Sequence, residues 1–130
     1  MVCQIKVVDK PIVYIVDSDP KLRRSLSEQL SVHNVLVEVF DSAETFLTSK
    51  LKNRAACLIV EENLPCMNGI ALLEHINSLG FRLPTFVLSS DCDLSKAVRA
   101  MQAQAIDFIE KPFIEKTLIS EVMNVLPKQS

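Results

Sequence analysis

Four short stretches carry residues able to do chemistry: Asp17, Ser18 and Asp19 in IVDSDP, Glu61 and Glu62 in LIVEENLPCMNG, Ser89 and Ser90 in PTFVLSS, and Lys111 in IDFIEKPF. Each set follows an apolar run. Carboxylates at two such places can hold a hard cation such as Mg²⁺, which takes oxygen ligands. A hydroxyl and a lysine opposite them would contact a phosphoryl group, an arrangement suited to phosphoryl transfer onto a carboxylate. Taken singly, each has a plainer reading. Asp or Ser after a strand usually caps the next helix, and a Lys before Pro is usually solvated. Their order and spacing along one chain make them a set.

Such residues meet only if the apolar runs before them lie side by side. Five runs read as strands: IVYIV at 12–16, LVEVF at 36–40, CLIV at 57–60, TFVL at 85–88 and IDFI at 106–109. They are short and mostly rich in β-branched or aromatic residues. LVEVF alternates, which marks a sheet edge. Helical patterns lie between them. Leu22, Leu26 and Leu30 recur every fourth residue, and Ile70, Leu73 and Ile76 line one face of a third helix. Asp41 with Glu44 fits a capping box, while Asn68 and Asp93 are N-cap candidates. The last helix spans 114–126, with Leu118, Val122 and Val125 inward and Pro127 as its stop. This alternation predicts an α/β, doubly wound (βα)5 sandwich. Right-handed crossovers place the loops after strands one, three, four and five on one rim, beyond the carboxyl ends of parallel strands where such folds bind ligands.

The chain has 130 residues and a net charge of −2, with its Lys and Arg scattered. It reads as one domain at 11–127, with an N-terminal extension at 1–10 and a tail at 128–130. The electrostatic footprint of a nucleic-acid binder is absent, so direct nucleic-acid binding is not expected. No apolar run approaches the roughly 20 residues that cross a bilayer, and MVCQIKVVDK lacks the apolar core of a secretion signal; a cytoplasmic location is expected. Cys3, Cys57, Cys66 and Cys92 have no metal-ligand spacing, and His33 and His75 stand alone. Cys66 and Cys92 fall in predicted loops at one end of the sheet, which leaves a redox pair open.

From about Pro11 to the end of the last helix, the sequence resembles the receiver domains of two-component response regulators. The resemblance is carried by IVDSDP with KLRRSLSEQL, by LIVEENLPCMNG, by PTFVLSS and by AVRAMQAQAIDFIEKPF, of which DFIEKPF is the most specific. Within the family it is similar to receivers that precede a LuxR-type helix-turn-helix, including the nitrogen-fixation regulators. The resemblance implies a flavodoxin-like fold with strand order 2-1-3-4-5, a sensor histidine kinase as partner, and a switching or dimerising face made by the fourth helix, fifth strand and fifth helix.

Carried over residue by residue, the resemblance puts Glu61 in the phosphoacceptor position, in a register set by Leu64, Pro65, Met67 and Gly69, with Glu62 one residue past it. Ser89 becomes the switch hydroxyl, Lys111 the phosphate-reading lysine and Phe108 the aromatic switch. A Mg²⁺ site would fall on Asp17, Asp19 and Glu61. Three positions depart from the family pattern: Glu61 replaces an aspartate, Ser18 replaces the second acid after strand one, and Gln104 replaces a glycine in the turn after the fourth helix. Asp19 begins the turn into the first helix and is placed to cap it. The extra methylene of Glu61 displaces the carboxylate, and a shift near 1 Å costs on the order of a hundredfold in a reaction that depends on positioning. Losing an acid also works against Mg²⁺, which demands near-ideal octahedral geometry.

The sequence therefore predicts an atypical receiver, a signal-transduction and protein-interaction module rather than an enzyme, in which Glu61 contacts Lys111 directly or through one water from neighbouring sheet positions and leaves Ser89 unrecruited. The alternative is a phosphorylatable, Mg²⁺-dependent receiver that takes phosphate from a histidine kinase and controls a DNA-binding output domain.

Overall fold

A computed structural model describes residues 10–49, 55–91 and 93–127. All but Lys10 of the expected N-terminal extension at 1–10, the expected tail at 128–130, and Cys3 and Cys92 lie outside the described residues, and with Cys92 the suggested redox pair. In chain order the elements are β1 Ile12–Val16, α1 Pro20–Ser31, β2 Leu36–Phe40, α2 Ala43–Thr48, β3 Ala55–Glu61, α3 Gly69–Ser78, β4 Thr85–Ser89, α4 Leu94–Gln102, β5 Asp107–Glu110 and α5 Glu115–Val125. The strands form one sheet in the order β2-β1-β3-β4-β5, with every neighbouring pair parallel. This is the expected flavodoxin-like architecture.

The burial pattern follows from sheet position. β1 and β4 are buried at every residue and β3 at all but its first, as strands covered on both faces must be. β2 and β5 are the edges and are only half-buried. Because side chains alternate along a strand, Tyr14, Leu58, Val60 and Val87 point to one core, shared with Phe46 of α2, Leu73 of α3 and Ala100 of α4. Val13, Ile15, Ile59 and Phe86 point to the other, against Leu26 and Leu30 of α1 and Leu118 and Val122 of α5. Three helices thus cover one face and two the other.

Asp19, Asn68 and Asp93 cap α1, α3 and α4 through their side chains. The capping box at Asp41 and Glu44 does not form. Ser42 is the N-cap of α2, its hydroxyl accepting from Thr45 N at 3.1 Å, while Glu44 reaches Met67 N instead. Ser42 stands one residue nearer the helix and its short hydroxyl meets the orphan N–H first. β5 begins one residue later than the sequence suggested, at Asp107. Gln104 adopts a left-handed φ of 71° after α4, where its amide bonds to the Met101 carbonyl at 2.9 Å.

Candidate functional site

β1, β3, β4 and β5 deliver their last residues to one rim, and the rim is built from the strand ends upward. Glu61 is the last residue of β3, in register with Leu88 of β4. Behind it the chain turns back tightly, and Gly69 N–H donates to the Glu62 carbonyl at 3.2 Å. A Cβ at position 69 would lie 2.3 Å from the Glu61 carbonyl oxygen, so only glycine lets α3 start this close to β3.

Asp17 is fully buried, and Glu61 and Glu62 nearly so. Lys111 Nζ stands between two of these acids, donating to Asp17 Oδ2 at 2.9 Å and to Glu61 Oε2 at 3.3 Å. The contact with Glu61 is direct, yet the two residues do not leave neighbouring positions. β4 lies between β3 and β5, and Lys111 passes its end to reach β3 and then β1. Two strand spacings are about 9.6 Å, a gap that a lysine and a glutamate together can bridge. The other Glu61 oxygen is also engaged: Oε1 accepts from Ser18 N at 2.9 Å and from Ser18 Oγ at 2.8 Å. Asp17 Oδ1 accepts from Asp19 N at 2.9 Å, and Arg23 Nη1 donates to the Asp17 carbonyl at 2.7 Å.

The electrostatics follow from these partners. Burial pushes the Glu61 carboxyl up, but the Ser18 N–H and hydroxyl, then Lys111, outweigh it and hold Glu61 below the ordinary glutamate range. For Asp17 burial wins. Its carboxyl is raised despite the bonds from Lys111 and from the Asp19 N–H. Burial would lower Lys111, yet Asp17 and then Glu61 raise it.

Ser89 is fully buried; its carbonyl accepts from Lys111 N–H at 2.7 Å, but its hydroxyl bonds elsewhere than to the Lys111 ammonium. Its single hydroxyl proton is shared between Glu62 Oε1 at 3.2 Å and the Asp91 carbonyl at 2.9 Å, while Asp91 N donates back to Ser89 Oγ at 3.1 Å. Lys96 of α4 joins the same group, 3.4 Å from Glu62 Oε1 and 3.2 Å from Asp91 Oδ2. Ser90 N and Oγ both donate to Asn63 Oδ1 at 2.9 Å. Phe108 is half-buried and packs against the core that α4 covers.

The expected site residues therefore separate into two groups. Asp17, Glu61 and Lys111 come together; Ser89 and Glu62 form a second cluster; Asp19 caps α1 through Oδ1, 2.9 Å from Lys21 N. Asp17 and Glu61 supply the oxygen donors that a hard cation takes; in this arrangement both Glu61 oxygens and both Asp17 oxygens face hydrogen-bond donors, so a cation between them would displace the Lys111 ammonium.

Sequence reasoning missed Lys96 and the donor role of Ser18. Lys96 did carry a signal: it lies in the first turn of α4, and helical side chains lean toward the N-terminus, back toward the rim.

Known proteins share this architecture and chain. The response regulator receiver domain family matches residues 13–123. The chain is 38% identical over 111 residues to the transcriptional regulatory protein FixJ of Rhizobium meliloti, covering 85% of this chain and 54% of that protein. It is 32% identical to the response regulator protein TodT of Pseudomonas putida, covering 88% of this chain and 51% of that protein. It thus spans about half the length of these curated relatives. Among solved structures, a response regulator receiver protein from Pseudoalteromonas atlantica superposes with a TM-score of 0.83 at 44% identity, over 88% of this chain and 96% of that one. With sequence, fold and rim in agreement, the chain belongs to the response regulator receiver domain family.

Proposed function

We propose that this chain is an atypical receiver, a protein-interaction and regulatory module that does not rely on aspartyl phosphorylation. Receivers are signalling modules rather than classical enzymes, and they interact with histidine kinases and form dimers. The observation that carries the reading is the position of Lys111, whose ammonium bonds to Asp17 and Glu61 at once. A carboxylate held this way supplies negative charge beside the lysine without any donor, and the arrangement needs no Mg²⁺. Incubation with acetyl phosphate and Mg²⁺, followed by intact-mass measurement, should leave the protein unmodified. A stoichiometric, acid-stable and base-labile adduct on Glu61 or Glu62 would overturn the reading. It would support instead a phosphorylatable receiver that controls a DNA-binding output, an alternative favoured by the similarity to FixJ over half of that regulator's length.

The partner face proposed here is made by α4, β5 and α5. Leu94 at 79% exposure, Val98 at 46%, Met101 at 49%, Ile106 at 46% and Ile114 at 72% support it, since these large apolar side chains remain exposed among the described residues. A second copy or a partner seated there should bury on the order of 1,000 Å². Light scattering at high concentration should show self-association, or a captured partner should protect this face from exchange. A strict monomer with an unprotected face would count against it. This domain is not assigned direct nucleic-acid binding. Among the described residues no helix is long and apolar enough to cross a membrane.

A further inference from the structure

Helix α4 buries little of itself against the domain. Ala100 is its one buried residue, so apolar packing fixes it weakly. Its attachments are instead polar. Arg99 pairs with Glu74 of α3 through Nε at 3.0 Å and Nη2 at 2.7 Å, and Lys96 reaches Glu62 at 3.4 Å and Asp91 at 3.2 Å. Glu62 is only 5% exposed, so its carboxylate depends on protein donors, and those recorded are Lys96 and the Ser89 hydroxyl.

We propose that Glu62 and Lys96 form a latch that couples the buried Ser89 hydroxyl to the position of helix α4. Glu62 Oε1 is the shared atom: Ser89 and Lys96 both donate to it. A shift of α4 that withdraws Lys96 leaves Glu62 with the serine as its remaining recorded donor, which draws the hydroxyl proton from the Asp91 carbonyl toward Glu62. That proton also sets the turn between Ser89 and Asp91 from which α4 departs. The coupling is reciprocal, so a partner that fixes α4 biases Ser89 to the same degree that Ser89 biases α4. Glu62 is thereby a positioning residue, acting through Lys96. The latch includes none of Asp17, Glu61 or Lys111 and stands independently of the function proposed for them.

Hydrogen exchange measured by mass spectrometry on the full chain tests it, using Glu62→Gln, Lys96→Gln, the double variant and Arg99→Gln. Each latch variant should speed exchange of the amides at 97–102 and of the Asp91 amide by about threefold, the scale of a partly exposed ion pair. The double variant should add little to Lys96→Gln, because that substitution already removes the Glu62–Lys96 pair, together with the Lys96–Asp91 contact that Glu62→Gln leaves in place. Arg99→Gln, which leaves the Glu62–Lys96 pair intact, should loosen α4 but move the Asp91 amide less than the latch variants do, because its effect reaches Asp91 only through that pair. Lys96 is on the surface, so Lys96→Gln keeps the test decisive if Glu62→Gln fails to fold. Exchange at α4 and Asp91 unchanged in Lys96→Gln would overturn the proposal, as would additive effects in the double variant or an equal rise throughout α1 and α5.

Discussion

Ser18 donates its backbone N–H to Glu61 Oε1 at 2.9 Å and its hydroxyl to the same oxygen at 2.8 Å. The two residues that depart from the acids of the family pattern are therefore matched to each other. An acid at position 18 would face Glu61 as a like charge, and an aspartate at position 61 would draw back from the serine by about one bond length. The pairing leaves Glu61 Oε2 free to meet Lys111.

Ser18→Ala removes the hydroxyl and keeps the N–H. We expect a loss of about 1 kcal/mol in urea unfolding, the size of one hydrogen bond to a charged group at a partly exposed site. The Glu61 carboxyl should rise toward its ordinary range, observed by NMR titration of its side-chain carbonyl carbon. An unchanged Glu61 titration would show that the serine hydroxyl does not hold it.

Lys111→Met should cost more than Glu61→Gln. The methionine strands the Asp17 carboxylate, which is fully buried, with the Asp19 N–H as its recorded donor. Breaking a buried pair costs roughly 3–5 kcal/mol, and the partial exposure of Lys111 reduces this to about 2–3. Glutamine at 61 keeps an acceptor for Ser18 and loses a partly exposed ion pair, about 1 kcal/mol or less. Its larger effect should fall on partner binding or assembly. Equal losses in chemical denaturation would show that Asp17 does not depend on Lys111.

The two acids contribute to stability with opposite pH dependence. Glu61 is held below its ordinary value of 4.5, so its contribution is present above that value and lost as pH falls through the lower folded value. Asp17 is raised above 3.8, so its contribution favours folding below that value and is lost as pH rises through the higher folded value. The stability difference between the natural chain and Glu61→Gln should therefore be full at neutral pH and close as pH falls below 4.5. A difference that stays constant across that range would remove Glu61 as an acid-sensitive contributor.

Restoring phosphorylation should require two changes. Glu61→Asp alone should gain little, because Ser18 still supplies a donor where Mg²⁺ needs an acid. Glu61→Asp with Ser18→Asp should gain more, measured by intact mass after acetyl phosphate and Mg²⁺. Equal phosphorylation of the single and double variants would show that the missing acid is not the obstacle.

The sequence by itself determined the five strands, the edge position of LVEVF and the caps at Asp19, Asn68 and Asp93, because burial period and helix-end hydrogen bonding are local rules. It located the rim for the same reason, since parallel strands send their carboxyl ends to one side. At Asp41 and Ser42 it stopped short: two adjacent residues can cap, and the path of the backbone chose Ser42. Gln104 stood out only through the resemblance, as the residue in place of a glycine in the turn after α4, and its left-handed φ of 71° is a finding of the structure.

The partners of the rim side chains were decided only by the tertiary structure. Lys111 meets Asp17 across 94 positions of sequence, and Ser18 meets Glu61 across 43. Neither pairing has a local signature. Each depends on which strand ends stand side by side, on how far a long side chain reaches past β4, and on the need of each nearly buried carboxylate for a donor. That need also took Ser89 toward Glu62 and Lys96 and away from Lys111. A serine hydroxyl has one proton to give, and only the assembled rim sets the acceptors it can reach.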